Sequence, residues 1–211
     1  MPKSKAKNWA LIILVVFHLV GVVGILSPYS DFFAMLSPLN LLLTSGLLFW
    51  QQDEKEGKAL RRFFIITIAI GFIAELIGVQ TGFPFGEYTY GRALGPKLFG
   101  TPLVIGVNWF IVAMGARGVA EKLFRVRGFQ IFGAALIMVA FDLLIEPVAI
   151  QIDFWTWAAG DIPIQNYFGW LGVGLVVQAI YFYWLPKSTN PLSTAVLLTQ
   201  IVFFASLLLF L

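Results

Sequence analysis

Residues 129–151 read FQIFGAALIMVAFDLLIEPVAIQ, a run of 23 residues in which only Asp142 and Glu146 carry charge. As a helix rising about 1.5 Å per residue, this run extends roughly 35 Å, enough to cross a hydrocarbon core of about 30 Å. Lipid is therefore the solvent for this segment, and two carboxylates stand where lipid excludes them. The composition of the whole 211-residue chain agrees: 59% of residues are hydrophobic and only 12% are charged. A soluble domain carries about a quarter charged residues, so this chain has too few to cover a water-facing surface.

Six further apolar runs, near 9–27, 32–50, 63–80, 101–120, 168–185 and 193–211, complete the pattern. They predict an all-α fold, a polytopic bundle of about seven transmembrane helices forming one membrane domain over 1–211. The first run follows Lys3, Lys5 and Lys7 but is too long for a signal-peptide core and lacks an Ala-x-Ala exit, so an uncleaved first helix is expected. Lys55, Lys58, Arg61, Arg62, Arg117, Lys122, Arg125, Arg127 and Lys187 fall on the same side as the N-terminal lysines, against Arg92 and Lys97 on the other. A bias of twelve to two puts the N-terminus in the cytoplasm and the protein, multi-pass, in a bacterial inner membrane.

Absences narrow the chemistry. The absence of cysteine removes thiolate metal sites and thiol nucleophiles, and a single histidine, His18, leaves little for a His-based metal site or triad. The net charge of +3 comes from short clusters between apolar runs, a topology signal with no nucleic-acid footprint. No metal and no cofactor is expected.

Two long outer connections, 81–100 and 152–167, are dense in aromatic residues, Gly and Pro and also carry Glu87, Asp153, Asp161 and Asn166. Scattered rings alone would suit an interfacial belt. Rings mixed with acids and an amide predict a structured cap over a cavity.

Three acids lie within the spans: Glu75, Asp142 and Glu146. Intramembrane acids usually face a protein interior or a wet cavity. Counting from the basic boundaries at Arg62 and Arg127, Glu75 and Asp142 both lie roughly 20 Å up, and Glu146 about one turn higher. Asn108 and Trp109, on the oppositely running fourth helix, reach about the same depth. Asp142 and Glu146 are spaced i, i+4 and share a helix face, with Cβ atoms about 6 Å apart. Two carboxylates so close in low dielectric cannot both ionise readily, so one is expected to keep its proton and serve as an acid. Pro147 is expected to kink the helix and free the carbonyl of Leu143.

An echo recurs at an offset of 67 residues: Glu75-Leu76 against Asp142-Leu143, and Tyr88-Thr89-Tyr90 against Trp155-Thr156-Trp157. It predicts that the third and fourth helices and the fifth and sixth form a degenerate parallel repeat. His18 is read as an interhelical hydrogen-bond residue, Gln178 and Gln200 as packing glue, and Gly71, Gly78, Gly106, Gly115, Gly172 and Gly174 as points of close helix approach.

The run Phe85-Gly86-Glu87-Tyr88-Thr89-Tyr90, then Pro102, Asn108 and Trp109, then Asp142 with Glu146-Pro147, Trp155-x-Trp157, Pro163 and Asn166-Tyr167-Phe168-Gly169-Trp170, resembles the membrane-integral carotenoid-biosynthesis hydratases. That family includes the gamma-carotene 1',2'-hydratases and the bisanhydrobacterioruberin hydratases. The resemblance covers roughly residues 70–175. It implies addition of water across the terminal C1–C2 double bond of an acyclic carotenoid end group, a cofactor-independent hydro-lyase reaction. The carotenoid, gamma-carotene, lycopene or a relative, would enter from lipid, with water as second substrate and other enzymes of the pathway as candidate partners. Acid protonation of C2 leaves a tertiary cation at C1 that water captures. The Asp142/Glu146 pair is the expected acid, with the other carboxylate or Glu75 orienting the water. Tyr88, Tyr90, Trp109, Trp155, Trp157 and Trp170 are candidates to stabilise the cation through their ring faces. Glu87, Asn108 and Asn166 are candidates to hold water or substrate. The basic pI, about 9.2, favours a bacterial C40 carotenoid over a haloarchaeal C50 one.

A proton-initiated carotenoid cyclase is the nearest rival, since the same protonation can lead to ring closure. A small proton-coupled transporter would also explain buried acids, but inverted repeats are expected there. A retinal-type receptor would need a lysine in the last span, and 193–211 has none. Membrane prenyltransferases would need acid-rich magnesium motifs on the cytoplasmic side.

Overall fold

Backbone polar groups in lipid must be satisfied within the segment, so long apolar runs become helices. The computed structural model describes residues 3–185 and 190–211, and within them the helices are α1 (Lys3–Ile25), α2 (Ser30–Ala34), α3 (Ser37–Gln51), α4 (Gly57–Thr81), α5 (Ile105–Leu123), α6 (Arg127–Gln151), α7 (Ile164–Trp184) and α8 (Ser193–Phe210). Pro186 and Lys187 lie outside the described residues. Six spans are long and apolar enough to cross a membrane, with α2 and α3 making one of them together. The protein is an all-α polytopic membrane bundle.

α5 is the exception, and its position explains why. It packs against α3, α4, α6, α7 and α8, and Phe110 through Met114 are fully buried. A helix jacketed by protein needs no lipid-compatible surface, so it tolerates charge that the outer helices cannot. Arg117, expected in a basic loop, is a helical residue with 0% exposure. Its Nε donates to Glu121 Oε1 at 2.8 Å, and its guanidinium lies 4.4 Å from the ring centroid of Phe182.

Element boundaries differ from expectation in informative places. α5 starts at Ile105 rather than 101, because Thr101–Pro102 forms a strand, β3, paired with β2 (Lys97–Leu98). α7 starts at Ile164 rather than 168, so Asn166 and Tyr167 belong to its first turn instead of a loop. α4 starts at Gly57 and carries Arg61 and Arg62. α6 continues through Pro147 to Gln151.

The two aromatic connections meet. β1 (Tyr88–Tyr90) pairs antiparallel with β4 (Trp155–Trp157), with Thr89 opposite Thr156. Gly91 N donates to Phe154 O at 2.9 Å, and a Cβ at Gly91 would lie only 2.1 Å from the Asp153 carbonyl oxygen, so the ribbon closes only over a glycine. The chain thus runs helix–strand–helix twice, α4-β1-α5 and α6-β4-α7.

Tight helix crossings depend on small residues. A Cβ on Gly106 would meet the Ile68 carbonyl oxygen of α4 at 2.6 Å, and one on Gly115 would meet Leu197 of α8 at 2.8 Å. Gly172 was expected to work in the same way, but nothing lies within 4 Å of its Cβ position. Gly106→Val is accordingly expected to cost roughly 1–3 kcal/mol of stability by overpacking. Gly172→Ala, which gains helix propensity, should be neutral or slightly stabilising. Thermal unfolding of the detergent-solubilised protein measures both.

Candidate active site

α4 and α6 each deliver a glutamate near their C-terminal ends, and the strand that follows each helix folds back to meet it. Glu75 is buried on α4. Its Oε2 accepts from Tyr88 Oη at 2.5 Å and Tyr90 Oη at 2.6 Å, and its Oε1 accepts from Trp109 Nε1 at 2.9 Å. Burial first, and then the neighbouring Glu75 charge, push both phenols above their ordinary value, so they stay protonated donors.

Glu146 on α6 repeats the arrangement. Its Oε2 accepts from Trp155 Nε1 at 3.0 Å and Trp157 Nε1 at 2.8 Å, and its Oε1 accepts from Asn166 Nδ2 at 3.1 Å. Both glutamates are therefore held by two aromatic donors from a strand and one donor from the next helix. This corrects the register of the sequence echo. The strands match as expected, but the structural counterpart of Glu75 is Glu146, not Asp142. Four residues before each glutamate the halves part: Gly71 in one, Asp142 in the other. A Cβ at Gly71 would lie 2.6 Å from Trp109 Cγ, so the indole fills the space that Asp142 occupies in its own half.

Asp142 is buried, and its Oδ2 accepts from Asn166 Nδ2 at 2.6 Å. Its Oδ1 is buried without a hydrogen-bond partner among the described residues. One amide nitrogen thus serves both acids of α6, and a single carboxyl oxygen is left over.

These groups face a cavity of about 30 Å³. Its wall includes Glu75, Asp142, Glu146, Tyr88, Tyr90 and Asn166. Trp155, Trp157, Trp170 and Asn108 complete its polar and aromatic lining, with Phe85 of the quoted motif and two residues that sequence reading did not single out, Ile105 and Ile145, as apolar members. Among the described residues, no lysine or arginine lines it. By the measure of about 10–15 Å³ per water, it has room for about two.

Two expected residues are placed otherwise. Glu87 is exposed, outside the cavity wall, and its backbone carbonyl accepts from Ala158 N at 2.9 Å. Strand alternation decides this: Tyr88 and Tyr90 point inward, so the residue before them points out. Trp109 is also absent from the wall; it lies behind, stacked on Trp170 at 4.1 Å between ring centroids. His18 bonds within its own helix, Nδ1 to Leu14 O at 2.8 Å, rather than across to a neighbour. Gln178 does bridge helices, donating to Ala113 O at 3.0 Å.

Comparison with known proteins fits this picture. Residues 35–211 match the model of a family described as carotenoid biosynthesis protein. A bisanhydrobacterioruberin hydratase from Haloarcula japonica is 31% identical over 189 residues, covering 80% of this chain. The chain spans 63% of that relative's length. No solved structure matches.

The donor count around Glu75 has a measurable consequence. Glu75→Leu leaves the Tyr90 phenol and the Trp109 N–H unpaired and the Tyr88 phenol with only the Glu75 backbone carbonyl at 3.4 Å, each lost bond costing about 1–3 kcal/mol. It should therefore destabilise by roughly 3 kcal/mol or more. Glu75→Gln keeps an oxygen for the Trp109 N–H and offers two N–H groups to phenols that can rotate to accept, so it should lose far less. Thermal unfolding in detergent separates the two variants.

Proposed function

The chain belongs to the family of carotenoid biosynthesis proteins, and we propose that it is a cofactor-independent hydratase acting on the acyclic end group of a carotenoid. One observation carries the reading: beside two glutamates saturated by donors, Asp142 presents a buried carboxyl oxygen with no partner. A proton on that oxygen has no acceptor among the described residues and is free for substrate.

In the proposed reaction Asp142 Oδ1–H delivers its proton to C2 of the terminal C1=C2 bond, forming the C2–H bond and leaving a tertiary cation at C1. Water adds through its oxygen to C1, and a proton from that water returns to a carboxylate of the Asp142/Glu146 pair. The net change is one water gained. Asn166, bonded to both acids of α6, keeps Asp142 Oδ2 engaged and leaves Oδ1 to react. Asn108 lies on the cavity wall as a candidate to orient water.

The electrostatics of the wall support a cationic intermediate. Three carboxyl groups and several aromatic rings line the chamber, with no lysine or arginine among the described residues. Ring faces contribute about 2 kcal/mol each toward a desolvated cation. The edges of Tyr88, Tyr90, Trp155 and Trp157 are held by the glutamates, so the rings keep their positions as charge develops. The hydratase relative from Haloarcula japonica supports the same class of reaction. Gamma-carotene, lycopene and longer acyclic carotenoids all present the required end. The charge bias of the connections supports placing the capped end of the bundle on the outer side of a bacterial inner membrane.

Expression in a host that accumulates lycopene or gamma-carotene tests the reading by mass spectrometry. A carotenoid heavier by one water is expected. An isomer of unchanged mass would make the protein a cyclase, and unchanged carotenoid with folded protein would sink the proposal. Asp142→Asn should lower the hydration rate by roughly 10²–10⁴-fold, the usual contribution of a general acid, while leaving the fold intact.

A further inference from the structure

The acid chamber shares part of its wall with a neighbour. Ile105, Asn108, Ile145 and Trp155 also line a second chamber of about 60 Å³. Ser37, Asn40 and Phe203 line both this second chamber and a groove of about 170 Å³. The groove runs between α1, the start of α3 and α8, and its lip is formed by Phe17, Val20 and Leu39, which are 52%, 51% and 63% exposed. In a bundle surrounded by lipid, those side chains face hydrocarbon.

We propose that these three contiguous spaces form the route by which the hydrocarbon arm of an isoprenoid substrate reaches the acids from the bilayer, with Phe203 as the gate. The proposal rests on the hydratase reading above. A rod-like polyene is insoluble in water and cannot approach through an aqueous cap, so a lateral path must connect lipid to the reacting end. The two narrow points are the shared walls. At the outer one, a Cβ on Gly21 would lie 3.0 Å from Phe203 Cε2, so the absence of a side chain on α1 lets the Phe203 ring seat there. His18 and Phe204 pack edge-on to the same ring, at 5.7 and 5.0 Å between centroids.

The second chamber is mostly apolar, with Leu41, Leu94, Phe154 and Phe204 on its wall. Asn40 and Gln200 interrupt that wall, and Asn40 Oδ1 and Gln200 Oε1 are buried without a hydrogen-bond partner. They are acceptor sites for water alongside a hydrocarbon chain. The route therefore brings both reactants to the acids, the polyene against the rings and water against the amides. Gln200 then has a use beyond packing.

The test uses the full-length protein in proteoliposomes with two substrates sharing the same end group: a C40 acyclic carotene delivered in the bilayer and a short detergent-dispersed isoprenoid hydrocarbon. Gly21→Trp should lower C40 hydration by about tenfold or more, through KM, and leave the short substrate within about twofold of wild type. Val23→Trp, on the same helix at a 70% exposed position outside the groove, should change neither. Equal C40 rates in Gly21→Trp and Val23→Trp would overturn the route. Hydration of neither substrate by the wild type would instead remove the hydratase reading itself. Because the chain has no cysteine, Val20→Cys can also be compared before and after labelling with an alkyl methanethiosulfonate, so that folding is not in question. Labelling should block C40 hydration at Val20→Cys and not at Val23→Cys. Equal effects at both positions, or loss of both substrates together, would again overturn the route.

Discussion

A carboxyl group inside a membrane bundle is costly wherever its oxygens lack donors, since an unpaired buried polar group costs several kcal/mol in hydrocarbon. The cap, the strand pairing and the starts of α5 and α7 all follow from meeting that requirement at Glu75 and Glu146. Tyr88, Tyr90, Trp155 and Trp157 can reach the glutamates only if β1 and β4 dip into the mouth of the bundle, and they pair with each other there. Trp109 and Asn166 supply the third donors because α5 and α7 begin beneath those strands. The glutamates thus hold the cavity's wall in place.

The choice of neutral donors matters as much as their number. An arginine would satisfy a buried carboxylate with a bidentate pair, but it would also cancel the charge. Phenol O–H, indole N–H and amide N–H satisfy the oxygens and leave the region electronegative. The chain does bury an arginine, Arg117, yet pairs it with Glu121 and the ring of Phe182, away from the cavity wall. Positive charge is thereby kept out of the one place where the proposed reaction generates it.

Much of this was legible in the sequence, for reasons that can be named. Apolar length marked the spans, and acids within those spans marked the site, because both are compositional and need no partner to be noticed. The aromatic-Thr-aromatic echo marked the strands as equivalent. Its extension to the acids went to Asp142, because identity of the following leucine is visible in sequence and hydrogen bonding is not. Three-residue strands are too short to show alternation, so Glu87 looked as eligible as Tyr88 until the ribbon turned it outward. Trp109 was right in depth and wrong in face, since the Trp170 ring that stacks over it comes from a helix 61 residues on. Asn40 and Gln200 were the least legible: Gln200 reads as packing glue and Asn40 draws no notice in its apolar run, and only the cavity between α1, α3 and α8 distinguishes them.

The departure from two-fold equivalence bears on how such a site can work. Two identical halves would present two identical acids, each saturated by three donors and neither with a free oxygen. Acid catalysis needs unlike groups, one that gives up a proton and one that keeps accepting. The molecule obtains the difference by a change four residues before the glutamate: glycine in α4, where an indole closes the space, and aspartate in α6, where the extra carboxyl projects into the cavity. Asn166 then has two acids to serve with one amide nitrogen, which leaves Asp142 Oδ1 uncovered. The paired glutamates hold the strands in both halves, and the proposed reaction draws on the half in which the donor set falls one short.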